Sequence, residues 1–352
     1  MLFVMQKRKT IFFIVAVSLC SLNYSLIGQN HTIDELSHLN HHKIEQFVLS
    51  KIDSLQIPGI SIAIFDKDST FYHKSLGIKS LETKEVVDAN TLFEACSLTK
   101  PVFAYTVIKL SEKGVLDLDT PLYKYYPNAD LADDKRYKQI TARVVLSHTS
   151  GLPNWRKGKL AIGPDPGTEF LYSGEAYEYL GSVIEYITGD NLQDVILREV
   201  FAPLGIKNSY FFENKYLKKH MATGHRDGKV VGRNIVKEPH MAYSLCTNAE
   251  EYSKLIIAFM NESKVPNSTF NRMSVPHFAI DSTDTICLGI FTDKTPTGLQ
   301  YYHSGNNDDR FTSSFEFYIE NNIGYVYFIN CNKRREFTKE LESYLGYYKS
   351  ID

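Results

Sequence analysis

The chain has 352 residues, 43% hydrophobic and 23% charged, an ordinary globular composition with length enough for a large core in one or two lobes. A formal charge of −2 gives no overall basic excess, which argues against nucleic acid as a partner. Five widely spaced cysteines with no C-x-x-C suggest neither a zinc site nor a dense disulfide framework.

At the amino end, Lys7, Arg8 and Lys9 precede an apolar run at 11–19 and then small and polar residues, the pattern of a secretory signal over residues 1–28. The run is far short of the roughly 20 residues a membrane-spanning helix needs, so no membrane span is expected. Removing the segment deletes three positive charges and no acidic ones, which moves the formal charge from −2 to −5. Cys20 offers a second reading, as the lipidated cysteine of a lipoprotein, but Leu19 before it fits poorly. An exported soluble protein, periplasmic or secreted, is the preferred reading, with residues 29–352 as a single domain.

A helical pattern at 33–55 ends at Pro58-Gly59, and strand-like runs at 60–65 and 71–78 join through a turn at 66–69 into a hairpin. In 93–114, apolar residues recur at Val102, Phe103, Thr106, Val107 and Leu110, with Pro101 near the start and Gly114 where a helix stops. This predicts a helix beginning near Ser97. Helical runs follow at 142–147, 175–187 and 192–201, strands at 287–291, 299–303, 311–318 and 325–329, and a closing helix at 335–347. Strands at both ends with helices between them predict an α/β (α+β) fold. An antiparallel sheet of five or more strands, flanked by helices, forms one lobe from about 32–96 and 283–352, and a mainly helical lobe spans about 97–282. A cleft between such lobes is a usual place for a small-molecule site.

Ser97 and Lys100 stand one helical turn apart, so the amine can turn back along the same face toward the hydroxyl. A serine is a poor nucleophile without a base, and a lysine serves as one only where its surroundings leave it partly neutral. Cys96, beside Ser97, reads as a small buried apolar residue rather than a reactive thiol. Two further clusters follow: Tyr172-Ser173-Gly174 just before a helix, and His303-Ser304-Gly305 at the end of a strand, ahead of a polar loop at 306–310. Each is weak alone. The order S-x-x-K, Y-S-G, H-S-G is far more specific.

In that order the sequence resembles the serine β-lactamase and penicillin-binding-protein superfamily, in its class C-like branch of β-lactamases, D-alanyl-D-alanine peptidases and esterases. The resemblance covers 32–349 and includes LSHTSGLP at 146–153, PLGIKNSYF at 203–211, SLCTNAEEYSKL at 244–255 and NNIGYVYFINCN near the end. It implies a β-lactamase/transpeptidase-like fold with Ser97 as nucleophile, Lys100 as its hydrogen-bonded partner, and Tyr172 sharing the proton and passing it to the leaving group. His303, Ser304 and Gly305 would line the cleft, with His303 orienting substrate or supplying positive charge. The N–H groups of Ser97 and Asn306 can hold the oxyanion. No cofactor or metal is implied, and the partner is a small-molecule or peptidoglycan-like substrate.

Two departures bear on substrate. Gly174 stands where β-lactam-hydrolysing members often carry an asparagine that binds substrate, and His303 replaces a lysine with a group largely neutral at pH 7. Both point away from an efficient β-lactamase. His148 reads as structural; Asp308, Asp309 and Arg310, just beyond the third motif, are placed to select substrate, but a solvated loop is the preferred reading. Two functions remain open: a serine hydrolase of esters or peptide amides, and a penicillin- or peptidoglycan-binding protein that stays acylated.

Overall fold

The computed structural model describes residues 40–346. The expected signal segment, Cys20 and the start of the first predicted helix lie outside the described residues.

The strands are β1 (Gly59–Phe65), β2 (Thr70–Gly77), β3 (Phe93–Glu94), β4 (Gly224–Arg226), β5 (Lys229–Gly232) and β6 (Cys246–Thr247). They continue as β7 (Phe278–Ala279), β8 (Asp284–Ile286), β9 (Phe291–Thr295), β10 (Gly298–Asn307), β11 (Phe311–Tyr318) and β12 (Ile323–Ile329). The helices are α1 (His41–Leu55), α2 (Thr99–Glu112), α3 (Ala142–Leu146), α4 (Gly174–Thr188), α5 (Leu192–Ile196), α6 (Lys215–His220), α7 (Ala249–Glu262), α8 (Thr269–Met273) and α9 (Arg334–Leu345).

Every residue of β1 is buried, so both faces of its sheet are covered. Ile60, Ile62 and Ile64 point one way along the pleat and pack with Tyr325, Tyr327 and Ile329 of β12 against Ile44 and Val48 of α1 and Phe337 and Leu341 of α9. On the other face Phe315, Phe317 and Phe328 belong to the larger core, with Leu98, Tyr252 and Phe259. Each such side chain contributes roughly 1.5–3 kcal/mol by leaving water.

The antiparallel sheet has eight strands in the order β2-β1-β12-β11-β10-β9-β8-β7, with Ile60 opposite Ile329. The first and last strands among the described residues thus pair in one sheet, as the strand pattern predicts. One expected strand does not form. At 287–291 the Cys287 N–H bonds the Ile290 carbonyl in a turn, and the Gly289 N–H donates to the Leu146 carbonyl at 2.8 Å. Gly289 has φ +76°, and a Cβ there would lie 2.4 Å from Ala104 Cβ. That apolar run is buried against α2 and α3 rather than by strand pairing, and β9 starts only at Phe291.

Eleven of the fourteen residues of α2 are buried. It is a central helix, and the serine turn at its start packs against β10 and β11 in the middle of the sheet. Among the described residues no helix is long and apolar enough to cross a membrane. Cys96, Cys246, Cys287 and Cys331 are buried free thiols.

Candidate active site

Ser97 lies in a single 3-10 turn, Cys96–Leu98, that runs directly into α2. The turn is held from several directions. The Thr99 hydroxyl donates to the Cys96 carbonyl at 2.6 Å, the Leu245 N–H to Thr99 Oγ1 at 3.1 Å, and the Tyr252 hydroxyl to the Leu98 carbonyl at 2.8 Å. Ser313 of β11 donates to the Ala95 carbonyl at 2.7 Å. Cys96 has φ +55°, a left-handed conformation that costs a non-glycine residue about 1–3 kcal/mol and persists only where the surroundings dictate it. Its thiol is pushed well up by burial, so Cys96 is inert packing, as its sequence context predicts. Gly305 of β10 explains itself by contact: a Cβ there would meet Ser313 Oγ at 2.5 Å and Cys96 Cβ at 2.7 Å. The strand passes the serine turn with no room for a side chain.

Lys100 is 1% exposed. Its ammonium donates to the Ala242 carbonyl at 2.8 Å and lies 4.7 Å from the centre of the Tyr172 ring and 5.4 Å from that of Tyr177. The hydrogen bond shown for Lys100 is therefore to backbone and not to Ser97, although both side chains line one cleft. Catalytic bonds are often long without substrate and tighten when it binds. Ala242 is itself fixed by α4, since its N–H donates to Glu178 Oε1 at 3.0 Å while Glu178 Oε2 pairs with His240 Nδ1 at 3.0 Å. That bond raises the His240 pKa.

Tyr172 stands just before α4, whose first turn is capped by Ser173 accepting the Ala176 N–H at 2.9 Å. Behind it, His148 stacks on the Tyr172 ring at 4.2 Å and its Nδ1 accepts the Ser173 N–H at 3.1 Å. Burial, then the charge of Lys100, pushes His148 well below its usual range. It is a neutral structural imidazole, in keeping with the sequence reading.

The cleft, of about 290 Å³, brings together Ser97, Lys100, Tyr172 and Asn306. Gly174 is not in its wall. The Gly174 N–H donates to Asn154 Oδ1 at 3.0 Å, and a Cβ would lie 2.8 Å from both the Asn154 carbonyl and the Trp155 ring. The surface that a side chain at 174 was expected to present is taken by Asn154 and Trp155, which line the cleft. These two, with Asn234 and Tyr243, escaped the sequence reading because they sit in loops with no motif of their own.

His303 requires a second correction. It is 1% exposed and packed 5.3 Å from the Phe291 ring, with Nδ1 within 2.9 Å of the Ser304 carbonyl. Burial, and after it the Lys100 charge, lowers its pKa to about 3. At neutral pH it supplies no positive charge to a substrate. His303 and Ser304 lie on the strand beside the cleft rather than in its wall. A stability consequence follows. Because the folded value lies below the unfolded 6.5, the unfolded chain binds a proton that the folded chain does not between pH 6.5 and about 3. Stability should fall as pH drops through that window, by up to about 1.4 kcal/mol per pH unit. Urea unfolding from pH 7 to 5 should show a shallower slope for His303→Gln; an unchanged slope would contradict the assignment.

The loop at 306–310 is exposed at 306, 308 and 309, as a solvated loop should be, but Asp308 and Arg310 also line the cleft and the Arg310 side chain is largely buried. Among the described residues no group of side chains could hold a metal ion.

An eight-stranded antiparallel sheet with a serine turn and a buried lysine beside its middle strands is the β-lactamase/transpeptidase-like fold. The family model described as Beta-lactamase matches residues 42–346, and the chain belongs to that family. Protein flp of Staphylococcus aureus (strain MW2) is 25% identical over 342 residues, covering 88% of this chain and 67% of its own. Penicillin-binding protein 4* of Bacillus subtilis (strain 168) is 29% identical over 167 residues, 41% of this chain and 36% of that one. Among solved structures, the octameric penicillin-binding protein homologue from Pyrococcus abyssi superposes with a TM-score of 0.74 at 22% identity, over 87% of this chain and 77% of that one. A class C beta-lactamase gives 0.73 at 19%, over 85% and 94%. These two similarities establish the fold.

Proposed function

We propose that the chain is an exported serine hydrolase that cleaves an ester or peptide amide through an acyl-enzyme on Ser97. The observation that carries this reading is the placement of Lys100, fully buried on the Ala242 carbonyl and against the Tyr172 ring, in the same cleft as Ser97. Ser97 Oγ attacks the carbonyl carbon, and its proton passes to the Lys100–Tyr172 pair. The oxyanion is held by the N–H groups of Ser97 and Asn306. Tyr172 then returns the proton to the departing oxygen or nitrogen, and water releases the acyl group.

Export rests on the signal pattern at residues 1–28. The cleft belongs to a single domain with a sheet lobe at about 32–96 and 283–352 and a helical lobe at about 97–282. An esterase or D,D-peptidase fits better than an efficient β-lactamase, because His303 is neutral and the third motif offers a substrate carboxylate no cation. A peptidoglycan-like substrate stays in view from the resemblance in the sequence, and the names of the penicillin-binding relatives keep in view a protein that takes penicillin and stays acylated.

Incubation with p-nitrophenyl esters and with a fluorescent penicillin separates the two. Multiple turnovers with release of p-nitrophenol are expected. A stable one-to-one penicillin adduct without ester turnover would replace the hydrolase by the binder.

A further inference from the structure

Glu94 lies three residues before Ser97 and is buried. Its Oε1 accepts the Asn234 N–H at 2.8 Å and its Oε2 accepts from Asn307 Nδ2 at 2.6 Å. Both oxygens are thus engaged by other donors. Arg310 approaches the same carboxylate only loosely, its Nε 3.6 Å from Glu94 Oε1, and that buried Nε has no hydrogen-bond acceptor. The other charged contact is Arg310 Nη2 to Asp308 Oδ2 at 3.4 Å, a carboxylate whose side chain is 75% exposed.

The turn fixes where this guanidinium points. Asp308 and Asp309 have φ of 49° and 57°, and the Arg310 N–H bonds the Asn307 carbonyl at 3.0 Å. Two successive left-handed residues closed in this way make the tight hairpin turn between β10 and β11. Asn306 Oδ1 accepts the Asp309 N–H at 2.7 Å and locks it. Arg310 is therefore delivered to the cleft wall by rigid backbone, with a side chain only 17% exposed.

A guanidinium carries five donors in a planar fork that matches a carboxylate bidentately. Here that fork faces the cleft with one exposed carboxylate nearby at ion-pair distance. Of the other cationic candidates in this region, Arg226 donates to the Asp308 carbonyl and is not among the residues lining the cleft, Lys100 is committed to the Ala242 carbonyl, and His303 is neutral.

We propose that Arg310 is a specificity-determining residue that receives a carboxylate carried by the substrate, which displaces Asp308 from the guanidinium. The inference rests on the reading of Ser97 as nucleophile. It places the permanent cation of the site in the hairpin turn, since the third motif offers only the neutral His303.

Two matched substrate pairs test it. Mono-p-nitrophenyl succinate against p-nitrophenyl butyrate places the charge on the acyl side. The acetylglycyl ester of lactic acid against that of methyl lactate places it on the leaving side. The reading is the ratio of kcat/KM for the anionic member to that for the neutral one. Arg310→Gln should lower the ratio about ten- to a hundredfold in one pair, chiefly through KM, since charge-assisted bonds are lost. Arg310→Lys should retain part of it, because a point charge remains without the fork. Asp308→Asn should raise the ratio, and added salt should lower it in the unmodified protein. A general structural disturbance would not move Asp308 and Arg310 variants in opposite directions. If Arg310→Gln folds poorly, Arg310→Lys and Asp308→Asn still decide. A ratio that is insensitive in both pairs, or that falls in Asp308→Asn, overturns the inference. If neutral-ester hydrolysis remains Ser97-dependent in that case, the hydrolase reading stands and only the role of Arg310 fails; hydrolysis that survives Ser97→Ala would sink the hydrolase reading itself.

Discussion

Lys100→Met is expected to lower kcat/KM for ester hydrolysis by about 10²–10⁴-fold, the usual cost of removing an acid–base group. Methionine keeps most of the volume that Lys100 fills against Tyr172 and Tyr177 and removes the amine. The Ala242 carbonyl loses its donor, at about 1–3 kcal/mol, while exchanging a buried charge for an apolar group offsets part of that loss. A domain with about 5–15 kcal/mol of stability tolerates the net change. The variant should therefore fold, shown by an unfolding midpoint close to that of the unmodified protein, yet turn over slowly. A fall of less than tenfold in a folded variant would mean that proton transfer does not run through Lys100.

The parts of the fold that were legible in the sequence are those whose signal is local. β11 coincides with its predicted span, and β1, β2 and β12 lie within one or two residues of theirs, because apolar runs bounded by turn residues mark both ends. Helix α7 was passed over, although Tyr252, Leu255, Ile256, Phe259 and Met260 carry the spacing of an amphipathic helix. The run at 287–291 misled because burial by helices and burial by strand pairing leave the same apolar string.

The site divides in the same way. Ser97, Lys100, Tyr172 and Asn306 were legible by short motifs and do share a cleft. The charge state of His303 was not, since it depends on Phe291 packed against it and on Lys100 from a helix some 200 residues away in sequence. Nor was the aim of Arg310, for Asp308-Asp309 reads as a polar loop until the two positive φ values turn it into a rigid hairpin. Gly174 was misread for a third reason: what its missing side chain makes room for is Trp155, the lone tryptophan, which arrives from a loop about twenty residues earlier.

The central claim is that Ser97 is the nucleophile, and Ser97→Ala tests it at little structural cost. Ser97 is half-buried, and α2 has no side-chain cap for the substitution to remove. Even the loss of a helix cap costs only about 0.5–2 kcal/mol. Intact-protein mass spectrometry after incubation with a fluorophosphonate should show one added phosphonyl group on the unmodified protein and none on Ser97→Ala. A folded Ser97→Ala protein that still acquires the label to the same extent would contradict the account.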